Sequence, residues 1–147
     1  MNKPASYNTL VKDIGELLKQ ARAKAAYSVN AILVNTYWHI GRHIVEFEHK
    51  ASSKATYGTE LLDNLSNDLT LAYGKGFSRS NLIYIRKFYL AFPKSETLSH
   101  QLRWSHYVEI LKTENELEIS FYTRQCEKEH WSVRELKCPM KKNSLTN

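Results

Sequence analysis

Between Tyr57 and Phe92 two apolar patterns of helical period flank a turn built on Gly74 and Gly76, and any fold of this chain has to accommodate that pair. Leu61, Leu62, Leu65, Leu69 and Ala72 recur at the spacing that gathers side chains on one face of a helix. Glycine suits the turn because it adopts positive φ without a Cβ penalty where a helix ends. Ser78 stands where the next helix needs an N-cap, its hydroxyl able to accept an orphan backbone N–H. Leu82, Ile85, Tyr89 and Phe92 then form one stripe. Ser80, Ile83, Tyr84 and Lys87 fall on the opposite side, with Arg79 and Arg86 at its edges.

This is the pattern of a helix-turn-helix, whose second helix presents N-terminal polar residues to base edges in the major groove. No acidic residue occurs from Gly74 to Ser95, whereas Lys75, Arg79, Arg86, Lys87 and Lys94 are basic. A phosphate-facing surface needs that bias. The plain alternative is a helical hairpin with a solvated outer face. The net charge of +6 over 147 residues points the same way, toward an anionic partner. The length fits one domain, or one domain and a tail. Two cysteines, Cys126 and Cys138, make no disulfide framework and fit a reducing cytoplasm. No apolar run reaches the length of a membrane span, and no signal-peptide core follows Met1.

Upstream, the spacing predicts a helix from Tyr7 to about Ala26, with Leu10, Ile14, Leu17, Leu18 and Ala21 on its apolar face. It predicts a second from Ser28 to about His49, with Val34, Tyr37, Trp38, Gly41, Ile44 and Val45 on one side. Gly41 costs about 1 kcal/mol against alanine in a helix interior, so a close neighbouring backbone is expected there. Ala51 to Thr56 reads as a polar linker. Pro93 ends the helix that precedes it. Residues 94–103 are irregular, with at most a short strand or hairpin.

Trp104 to Lys112 reads as a short helix capped by Ser105. Thr113 and Glu116 have the spacing of a capping box that opens a helix from Glu114 to His130, and Ser132 and Glu135 that of another. From Cys138 the composition is that of a flexible tail, so the domain is set at residues 1–137 and the tail at 138–147. No heptad array stands out. The fold expected is all-α, with six or seven helices around a central helix-turn-helix.

Several motifs together resemble one family. They are Tyr37-Trp38-His39-Ile40-Gly41-Arg42-His43, Tyr57-Gly58 ahead of Leu61-Leu62, Gly76-Phe77-Ser78-Arg79-Ser80-Asn81-Leu82, Arg86-Lys87-Phe88-Tyr89, Trp104-Ser105-His106-Tyr107 and Trp131-Ser132-Val133-Arg134-Glu135-Leu136. Their ordered set is similar to the N-terminal domain of the YhcG-like proteins, a bacterial family of unknown function. The resemblance implies a winged-helix-like DNA-binding module. It also implies a following nuclease domain of the PD-(D/E)xK type, which these residues do not hold beyond Cys138. Glu135-Leu136-Lys137 matches the end of that nuclease motif trivially and carries no weight.

The expected function is therefore non-catalytic binding of nucleic acid, duplex DNA in the first place, as the targeting half of a nuclease-type protein. The alternative is a protein-interaction or oligomerisation module, which would use the exposed Ile83 and Tyr84. Candidate DNA-binding residues are Arg79, Ser80, Asn81, Tyr84 and Lys87 for reading, with Lys75 and Arg86 on phosphates. No cofactor or membrane partner is expected. His39 and His43, with Glu46 on the same face, have zinc-ligand spacing but lack a further ligand. Cys126 and His130 are as thin a set, and a buried cysteine is the better reading. The three tryptophans are expected in the core rather than stacked on bases.

Overall fold

The computed structural model describes residues 5–50 and 60–145; the expected linker Ala51–Thr56 and the Tyr57-Gly58 motif lie outside the described residues. Six α-helices run in order: α1 Ala5–Lys50, α2 Leu61–Tyr73, α3 Arg79–Ala91, α4 Trp104–Ile110, α5 Glu116–Glu129 and α6 Val133–Leu145. A 3-10 turn at Ser95–Thr97 joins α3 to α4, and the described residues contain no strand. The all-α expectation holds. The weak strand signal in residues 94–103 does not.

The two expected upstream helices are one. α1 is unbroken over 46 residues, about 69 Å at 1.5 Å per residue. Ser28, read as the start of a second helix, lies inside it. A serine in mid-helix costs only a few tenths of a kcal/mol, too little to end a helix whose later half is packed.

That later half is packed on α3. Val34, Tyr37, Trp38, Ile44 and Val45 are buried, and so are Leu82, Ile85 and Phe88. Gly41 sits where the two backbones meet. A Cβ there would stand 2.4 Å from the Ile85 carbonyl oxygen and 3.0 Å from Tyr89 Cβ. The expectation of a close backbone is met. Trp38 closes this seam by donating its indole N–H to the Phe92 carbonyl at 2.6 Å.

Around Phe88 the core becomes aromatic. Its ring meets those of Phe92, Trp104 and Tyr107 with centroids 5.6, 5.2 and 4.6 Å away. Tyr122, Cys126, Leu102, Ile110, Leu111 and Leu136 complete the cluster. A second cluster joins Tyr37, Ile44, Leu82 and Ile85 to the half-buried face of α2. Trp104 touches both.

The helix ends correct the sequence reading in two places. α4 is not capped by Ser105. His106 Nδ1 accepts the Arg103 backbone N–H at 3.0 Å, as a Glu or Gln would in a capping box. The other ring nitrogen donates to the Trp131 carbonyl at 2.8 Å, which fixes the tautomer and ties α4 to the start of α6. α5 is capped by Asn115, whose side chain accepts the N–H groups of Leu117 and Glu118, rather than by Thr113. Thr113 instead donates its hydroxyl to the Glu118 carboxylate at 2.6 Å. The Ser132–Glu135 box forms reciprocally, both bonds at 3.2 Å.

The segment from Cys138, set aside above as a tail, continues α6 to Leu145 through Pro139. Proline removes one helical hydrogen bond there. Met140 packs on the main cluster, and the Tyr122 hydroxyl lies 3.4 Å from the Pro139 carbonyl.

Two buried ionisable groups give the fold an alkaline limit. Burial pushes the Tyr107 hydroxyl up to about 12 and the Cys126 thiol up to about 11. Both are neutral in the fold and ionise at lower pH once unfolded. Their stabilisation is thus complete below about pH 9 and is lost as pH rises toward about 12. Thermal midpoints should stay level from neutral pH to about 9 and then fall. Tyr107→Phe should remove part of that fall between about pH 10 and 12, and an unaltered decline would show the tyrosine is not its source.

Candidate nucleic-acid interface

The residues between α2 and α3 set the aim of α3. Gly74 and Gly76 have φ of 87° and 107°, a conformation side chains rarely adopt. Ser78 caps α3 by accepting the Asn81 N–H at 3.1 Å. Asn81 does more than the sequence reading gave it. Its amide N–H₂ donates to the Gly76 carbonyl at 2.6 Å, and its carbonyl oxygen accepts the Trp104 indole N–H at 2.8 Å. One side chain thus locks the glycine turn, the first turn of α3 and the start of α4 together.

With Leu82, Ile85 and Phe88 turned inward, a narrow outer strip is left. Ser80, Ile83, Lys87 and Leu90 fall within one arc of it, by the rotation of about 100° per residue. Ser80 and Arg79 are exposed at its N-terminal end, and Lys75 is exposed in the turn just before. Lys87 lies with its ammonium 5.6 Å from the Tyr84 ring centroid. Tyr84 and Ile83 are half-buried, and Tyr84 packs against the main cluster.

The two arginines are not free cations. Arg79 pairs with Asp63 of α2 at 2.7 Å, both side chains more than half exposed. A pair in water of that kind holds weakly, about 0–1 kcal/mol. Arg86 pairs with Glu48 of α1 at 2.6 Å in a more enclosed place. The seven expected site residues therefore fall into two groups. Lys75, Arg79, Ser80 and Lys87 line the open end and outer strip. Asn81, Tyr84 and Arg86 are engaged with the rest of the fold.

Sequence reading missed the other apolar feature of this end. Leu71 and Tyr73 are 90% and 76% exposed at the end of α2 that runs into the turn. They fall outside the 61/62/65/69/72 stripe, which was the only available signal and whose last member, Ala72, is itself exposed.

The remaining candidates go elsewhere. Arg42 takes Glu46 at 2.8 Å; that bond holds the Glu46 carboxyl below its usual range and raises Arg42. Among the described residues no three His, Cys, Asp or Glu side chains gather into a metal-holding group. Cys126 is buried in the core, as expected, while His130 is exposed and ends α5 in a left-handed conformation. No helix among the described residues is long and apolar enough to cross a membrane.

The family model for the DUF1016 N-terminal domain matches residues 13–146. The chain belongs to that family. The DUF1016 domain here is also 35% identical, over 164 aligned positions, to the Escherichia coli K12 protein named "Putative nuclease YhcG". That alignment takes in 90% of this chain and 44% of the relative, so the chain spans less than half of the longer protein. No solved structure matches it. The resemblance drawn from the ordered motifs is thereby established, and it extends over the Trp104, Trp131 and α6 segments as well as α2 and α3.

Proposed function

We propose that this DUF1016 domain binds nucleic acid without cutting it, duplex DNA in the first place, and serves as the targeting half of a nuclease-type protein. The observation that carries this reading is the cationic, carboxylate-free run from Gly74 to Ser95, whose open end is held rigid by Asn81 and Trp104. Rigid presentation favours binding because little ordering entropy remains to be lost. The name of the longer relative supports a nucleic-acid partner. In this reading α2, the glycine turn and α3 act as a helix-turn-helix. Lys75 and Lys87 meet phosphates, Arg79 and Ser80 approach base edges, and Asn81, Tyr84 and Arg86 hold α3 at its angle. Arg79 would exchange Asp63 for phosphate or base, which the weakness of the exposed pair allows.

The test is titration of a labelled duplex across salt. Affinity should fall with a log–log slope of about −0.9 for each phosphate contact. Lys75→Ala should shallow the slope by about one and weaken all sequences alike. Absence of binding at about 50 mM salt would refute the proposal. A second reading, a protein partner on this surface, rests on exposed Leu71 and Tyr73. It predicts that Leu71→Asp abolishes association while Lys75→Ala leaves it intact.

A further inference from the structure

α1 has two apolar faces, and the fold uses one. Val34, Tyr37, Trp38, Gly41, Ile44 and Val45 face α3. Val11, Ile14, Leu18, Ala21, Ala25 and Ile32 form a second stripe, in which the steps alternate between three and four residues save one of seven that passes through Ser28. At about 100° per residue the two stripes point roughly opposite ways around the helix. Every member of the second stripe is exposed, Leu18 at 55% and Ile32 at 67%. Residues 11–29 contain no buried side chain at all. A helix of that length without tertiary cover is only marginally stable in water. The heptad spacing absent from the first reading thus emerges once α1 is continuous.

We infer that this arm is the interface of a homodimer, in which α1 of a second copy lies antiparallel against it. The stripe is complementary to itself in that orientation. Setting Leu18 against Ala21 of the other copy also sets Ile14 against Ala25 and Val11 against Ser28, and two-fold symmetry repeats each pair. Each of these three layers then combines a large and a small side chain, which fills volume evenly. A parallel pair would stack Ala21 on Ala21 and Ala25 on Ala25, leaving two thin layers in succession. Charge decides the same way. Asp13 and Glu16 outnumber Lys12 in the first half of the arm, while Lys19, Arg22 and Lys24 stand without an acid in the second. Antiparallel helices bring the acidic half beside the basic one, whereas parallel helices bring the basic halves abreast. The face toward α3 stays free of the partner, so the two cores end up at opposite ends of the helix pair, about 60 Å apart along it.

Sedimentation equilibrium of the chain should give twice the mass of one copy at micromolar concentrations. Leu18→Glu, which places two carboxylates at the central layer, should weaken association at least tenfold while near-ultraviolet circular dichroism of the core is unchanged. Leu117→Glu, at an exposed site off the arm, should leave the dimer intact. Orientation is read by disulfide trapping on a Cys138→Ser background. Ile14→Cys mixed with Ala25→Cys should cross-link, and Ile14→Cys alone should not, since antiparallel copies hold its two Cα atoms about 16 Å apart. Cross-linking of Ile14→Cys with itself would overturn the antiparallel arrangement. A monomer at about 100 μM, or a dimer indifferent to Leu18→Glu, would overturn the interface.

Discussion

Gly41→Val should unfold the domain or leave it barely folded at 25 °C. The Cβ of any residue at 41 would stand 2.4 Å from the Ile85 carbonyl oxygen, on a helix backbone that cannot swing aside. α1 and α3 would have to part, and Val34, Trp38, Ile44 and Val45 would lose contact with Leu82, Ile85 and Phe88 together. Alanine is the milder form of the same insult. Overpacking of this kind costs about 1–3 kcal/mol, from which about 1 kcal/mol of recovered helix propensity is subtracted. Valine adds two methyl groups to the same clash and should cost about 4 kcal/mol or more, most of the stability of an ordinary domain. Gly15 supplies the internal control, because nothing lies within 4 Å of a Cβ built there. Gly15→Ala should raise stability or helicity by up to about 1 kcal/mol. Urea midpoints measure all three. An unchanged midpoint for Gly41→Val would mean that α1 and α3 pack less closely than described.

Gly41 was legible because a glycine in mid-helix beside tryptophan has few other reasons to be there. The Ser78 cap and the positive φ of Gly74 and Gly76 were legible for a similar cause, since each depends on neighbours within a few residues. The continuity of α1 was not. Its apolar stripe changes face by about half a turn near residue 30, and a change of phase looks the same in sequence as a helix break. Only packing tells the two apart. The roles of Asn81 and Arg86 were hidden for a different reason. Their partners, Trp104 and Glu48, are 23 and 38 residues distant. A polar residue in the first turn of a helix-turn-helix reads as a base contact, and its spacing carries no sign that a distant indole will occupy it. The α6 extension was missed because Cys138, Pro139 and the lysines after it look like tail composition, whereas Met140 packs on the main cluster.

Trp104 is where the stability of the core and the aim of the candidate interface meet. Its ring lies 4.9 Å from that of Tyr37 and 5.2 Å from that of Phe88, between the two clusters, and its N–H satisfies Asn81. Trp104→Ala should cost about 3–4 kcal/mol, the lower part of the range for a large aromatic because this one is half-buried. Trp104→Phe separates packing from hydrogen bonding. It keeps most of the ring area and withdraws only the donor, so it should cost about 1–2 kcal/mol. The effect on binding is the more informative measurement. Loss of the indole donor should let the Asn81 side chain turn and weaken its bond to Gly76, loosening the first turn of α3 while its cationic residues remain. Trp104→Phe and Asn81→Ala should then weaken duplex binding by similar factors for every sequence, with the salt slope unchanged, because no phosphate contact is removed. Arg79→Ala should instead alter the order of preferred sequences, at about 1–3 kcal/mol for a lost bidentate contact. If Asn81→Ala reorders the preferred sequences while Trp104→Phe does not, Asn81 reads bases directly and its bond to the indole must open when DNA binds.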